Sequence, residues 1–79
     1  MIKYKGYAAT DFKELNIGDL FYFSIYDGNE EEIVMLTFYK CNENEGMWIE
    51  KVGEVYMNVQ KHSFKMLSHM PVEVFIKIW

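Results

Sequence analysis

The chain has 79 residues, the size of one small domain that buries only about two thirds of its unfolded surface. Of these, 51% are hydrophobic and 18% aromatic, which excludes a disordered chain and supplies large rings for a thin core. The net charge of −4, with eight lysines and no arginine, weighs against nucleic acid as a partner.

Ile2 and Tyr4 alternate with Lys3 and Lys5, predicting a short first strand or extended arm that ends near Gly6. Asp11 stands three residues before Glu14, the spacing of a helix cap, with Thr10 as the alternative cap. The segment is too short for a helix, so one helical turn is expected, laying Phe12 and Leu15 on the core. Asn16-Ile17-Gly18-Asp19 then turns the chain.

The stretch 18–41 carries the main hairpin signal. Two apolar runs, 20–26 and 33–41, flank Asp27-Gly28-Asn29, residue types that tolerate the left-handed backbone of a tight turn. Phe21, Phe23 and Ile25 are expected inward, because the opposite face carries the hydroxyls of Tyr22, Ser24 and Tyr26. In the second run Val34, Leu36 and Phe38 are expected inward. The acidic run Glu30-Glu31-Glu32 reads as a solvated flank that keeps the hairpin soluble.

A polar turn, 42–46, leads to a strand at 47–52, a turn at Gly53-Glu54 and a strand at 55–59 with Val55, Met57 and Val59 on one face. Phe64 and Met66 suggest a short strand or bend, and Pro71 interrupts the chain because it has no backbone donor. The last stretch, 72–79, alternates most regularly. Val72, Val74, Ile76 and Ile78 fall on one face, and Glu73, Phe75, Lys77 and Trp79 on the other. Val74 and Ile76 are expected to be nearly fully buried. The whole pattern predicts an all-β domain over residues 1–79 with at most one or two helical turns. Five or six short strands would form a small, strongly bent antiparallel barrel or roll.

No catalytic set emerges. His62, His69 and Cys41 match no zinc spacing, so both histidines read as exposed loop residues, and no metal or cofactor is expected. Neighbouring His62 and Ser63 would point to opposite faces of a strand, which is no triad. The five glycines are scattered and form no phosphate-binding loop. An enzyme is not expected. The lone Cys41 excludes an internal disulfide and fits a reducing compartment. With no leader-like or membrane-spanning apolar run, the expected location is the cytoplasm and no membrane partner is expected.

One surface stands out in the alternation. Phe75 and Trp79 share their face with Glu73 and Lys77, and Tyr22 and Tyr26 share the proposed outer face of the first hairpin. Aromatics interleaved with charges suggest a protein-binding patch made by Phe75, Trp79, Tyr22, Tyr26 and Lys77. The opposing reading is that these rings form a second small core. If 72–79 lies at a sheet edge, it would also offer backbone donors and acceptors to a partner strand.

Through Phe12-x-x-Leu15-x-x-Gly18-Asp19-x-Phe21, the chain resembles small proteins of phages and other mobile elements. Their pattern is a short turn, a Gly-Asp step and a compact SH3-like β-barrel ending in a Val-rich strand, here Val72-Glu73-Val74. The resemblance implies a non-enzymatic module, such as an inhibitor of a host or anti-phage defence protein, acting in the host cytoplasm. No functional residue is carried over. The alternatives are a nucleic-acid-binding small barrel, a phage structural or accessory protein, and a sequestering homo-oligomer.

Overall fold

Alternating apolar residues need a sheet with one covered face, and the chain builds one from six antiparallel strands. The computed structural model describes residues 6–26, 33–64 and 72–78. The strands are β1 (Tyr7–Asp11), β2 (Leu20–Tyr26), β3 (Ile33–Lys40), β4 (Glu45–Val52), β5 (Val55–Ser63) and β6 (Glu73–Lys77). They are ordered β1-β6-β2-β3-β4-β5, and the only helical element among the described residues is a 3₁₀ turn, Phe12–Glu14. The protein is therefore all-β, as the alternation predicts. The side chains of Ile25, Tyr26 and Val34, together with Asp27-Gly28-Asn29, Met66, His69, Pro71 and Trp79, lie outside the described residues.

The main hairpin pairs as expected. Phe21 faces Phe38 and Phe23 faces Leu36 across β2 and β3. Phe21 and Phe38 are fully buried and stack at 5.3 Å between ring centroids. Two more phenylalanines reach this pair from outside the hairpin. Phe12 follows edge strand β1, Phe64 follows edge strand β5, and the two rings stack at 4.9 Å. Residues just beyond opposite edges of a sheet meet only if the sheet curls. The curl is held by rings packed edge-on and face-on, each pair worth about 0.5–1.5 kcal/mol beyond its buried area. The sheet is not closed into a barrel by hydrogen bonds.

Gly46 is what lets the rings approach. A Cβ at this position would lie 2.6 Å from Cζ of Phe21 and 2.9 Å from Cε2 of Phe64. No larger residue fits without displacing the cluster.

Lys40 ties the loop before β2 to the sheet. Its parity follows Phe38, so its side chain enters the core and is only 4% exposed. The ammonium donates to the carbonyls of Phe12 (3.0 Å) and Leu15 (2.8 Å) and stands 4.5 Å from the Phe12 ring centroid. Its backbone is fixed to the same loop, since Lys40 N–H donates to Asp19 O and Gly18 N–H donates to Lys40 O. Asp11 caps the 3₁₀ turn by accepting from Lys13 N–H at 3.1 Å, in agreement with the expected cap. Asp19 accepts from Asn16 N–H through its side chain, and Gly18 takes φ +98 in the turn they close.

Several expectations are corrected. The strand or arm expected over Ile2, Lys3, Tyr4 and Lys5 lies outside the described residues, and the first described strand, β1, begins at Tyr7. The final strand is not an edge, because β6 lies between β1 and β2. Val74 is fully buried as expected, but Ile76 is half-buried and Ile78 exposed, since the core ends before the strand does. His62 lies in β5 rather than a loop and is half-buried beside the Phe38 and Trp48 rings.

Candidate protein-binding surface

The β4–β5 hairpin outlasts its neighbours. Pairing between β3 and β4 ends at Thr37–Ile49, whereas pairing between β4 and β5 continues to Val52–Val55. Among the described residues, β4 beyond Ile49 therefore has a strand partner on one side only, and β5 is the edge of the sheet. Residues 50–57 form a two-stranded arm, Asn58 to Lys61 run on along the edge of the three-stranded part, and every residue from Glu50 to Lys61 is exposed. The register shifts between Trp48 and Ile49, leaving Val59 as the extra residue on β5. Such a bulge bends a strand and increases its twist, here at the base of the arm. At the base, Trp48 Nε1 donates to Glu50 Oε1 at 2.9 Å. At the tip, Gly53 supplies φ +66 to a two-residue turn.

The arm is apolar where a free ribbon should be polar. Val52, Val55, Tyr56, Met57 and Val59 are between 46% and 63% exposed. Cross-strand pairing places Val52 with Val55 and Glu50 with Met57 on one face, and Lys51 with Tyr56 on the other. Two strands without a covered face are marginally stable in water, so side chains of this kind gain most from being covered.

Of the residues expected to form the patch, Phe75 and Tyr22 are brought together as direct partners across β6 and β2, with Lys77 on the same face, but the Phe75 ring is buried. Phe75 is 4% exposed, beside Ala9 and Tyr22 on the face opposite the phenylalanine cluster, where Ile49 is also buried. At that exposure Phe75 acts as core rather than as an exposed anchor. Tyr22 is half-buried, its ring 5.1 Å from that of Tyr7 in an edge-to-face pair. Lys77 is exposed at the end of β6, paired with Tyr7. The Tyr26 side chain and Trp79 fall outside the described residues. Besides Ile17, Leu20 and Ile78, the exposed large apolar side chains gather on the β4–β5 hairpin, where the alternation predicts an ordinary strand. One signal was available: Val55, Tyr56 and Met57 are consecutive, so both faces of the strand carry large apolar groups.

Other places offer less chemistry. A hollow of about 410 Å³ is lined by Lys13, Leu15, Asn16, Ile17, Lys40, Glu43 and Asn44, but the Lys40 ammonium is already engaged by two carbonyls. Cys41 is half-buried and its thiol donates to the Glu45 carbonyl at 3.2 Å. Among the described residues no three of His, Cys, Asp and Glu gather as metal ligands, and no helix is long and apolar enough to cross a membrane.

No family model, curated protein or solved structure matches the chain.

Proposed function

We propose that the chain is a non-enzymatic protein-binding module whose contact surface is the β4–β5 arm. The observation that carries this reading is the exposure of five large apolar side chains on a two-stranded ribbon and the sheet edge at its base. Exposed apolar clusters of this kind characterise interaction sites. The resemblance to small phage and mobile-element proteins supports a host or defence protein as the target, blocked by occlusion.

The test is affinity capture from host lysate with the parent and with Val52→Asp. That substitution changes an arm face without touching the outer edge of β5. The parent should retain a partner that Val52→Asp loses by at least tenfold, at unchanged melting temperature. Equal retention by both proteins, or none by the parent, would refute the reading.

A further inference from the structure

We infer that the outer edge of β5 pairs with β5 of a second copy, joining two arms into a four-stranded ribbon around a twofold axis at Met57. The inference rests on the arm being the contact surface and names its first partner.

Three observations lead to a second copy. The first is backbone geometry. β5 is an edge nine residues long. Its two-residue turn makes Val52–Val55 a hydrogen-bonded pair, so Val55 and Met57 direct their backbone groups to β4. Tyr56 and Asn58 then direct theirs outward. A twofold axis perpendicular to the ribbon through Met57 sets Tyr56 of one copy opposite Asn58 of the other, twice, so each pair exchanges both of its backbone hydrogen bonds.

The second is side-chain complementarity under the same operation. Met57 meets Met57 of the second copy, and Val55 comes opposite the bulge at Val59, so apolar residues stand along the seam. Face parity is kept, because a twofold axis perpendicular to a sheet relates only residues on the same face.

The third is charge. The chain carries −4, which opposes association through most of its surface. The arm together with the rest of the β5 edge to Lys61 is neutral, with Glu50 and Glu54 balanced by Lys51 and Lys61. The antiparallel pairing brings Lys61 of each copy to the turn of the other, where Glu54 stands. Edge strands usually carry a device against this pairing, such as an inward charge or a proline. The central stretch 55–58 has neither, and the bulge, a further device of this kind, comes only at Val59.

The seam is short, so a weak, reversible dimer is expected, dependent on protein concentration. Sedimentation equilibrium on the full chain tests it, together with Met57→Lys and Met57→Glu. Either substitution places like charges opposite each other at the axis, and an equimolar mixture places opposite charges there. The parent should dimerise, each variant should associate at least tenfold more weakly at unchanged melting temperature, and the mixture should recover dimers. A parent that stays monomeric to about millimolar concentration overturns the seam. So does a variant that dimerises like the parent, since the dimer would then use another surface. A monomeric parent whose target is lost on Val52→Asp would discard the second copy and keep the binding arm.

Discussion

The phenylalanine cluster and the β4–β5 arm are made from similar alternating apolar strands, yet among the described residues one is buried and the other exposed along its whole length. Phe21 and Phe38 lie on strands flanked on both sides, with Phe12 and Phe64 closing over them. Val55 and Met57 lie on a strand with one neighbour, which itself has left the sheet by that point. The difference teaches that alternation specifies a strand, while burial depends on what is built beside it. A strand that runs past its neighbours becomes a surface whatever its composition.

Truncation at the two places should separate them most sharply. Phe21→Ala should cost about 3–5 kcal/mol in denaturant unfolding, a large share of a small domain's stability. Phe75→Ala should cost a similar amount, because its ring is buried as core. Stability retained in Phe75→Ala would return that ring to the surface and restore the patch of Phe75 and Tyr22.

Gly46→Ala attacks the same cluster by overfilling it. The added Cβ meets the Phe21 and Phe64 rings below 3 Å, and a loss of about 1–3 kcal/mol is expected by the same measurement. Lys40→Met keeps an apolar stem of similar length but removes both carbonyl contacts. It should cost about 1–3 kcal/mol and loosen the 3₁₀ turn, seen as faster amide exchange at Leu15 and Gly18. Met57→Ala, on the arm, should change stability by less than about 0.5 kcal/mol. A loss comparable to Phe21→Ala would show that the arm is covered within the monomer.

Much of the fold was legible in the residues. Phe21, Phe23 and Phe38 were placed inward by their parity, Asp11 and Asp19 by their turn chemistry, and Val74 by the alternation around it. Long-range closure was less legible. Nothing local to Lys40 says that a lysine following Phe38 will find two carbonyls of the 3₁₀ turn and can therefore be buried. The burial of Phe75 is hidden for a similar reason. Glu73 and Lys77 share its face and suggest an outer residue, but the strand inserts between β1 and β2, and only its ends are exposed. Strand order, unlike strand identity, is set by contacts far apart in the chain.

Amide hydrogen exchange along residues 50–61, recorded at low and high protein concentration, tests the arm most directly. The account predicts that Met57, bonded within the hairpin, is protected similarly at both. Tyr56 and Asn58, whose N–H groups face outward, should exchange freely in dilute solution and slow at least tenfold on concentration. Exchange at Tyr56 and Asn58 that is independent of concentration, or protection already complete in the dilute monomer, would contradict it.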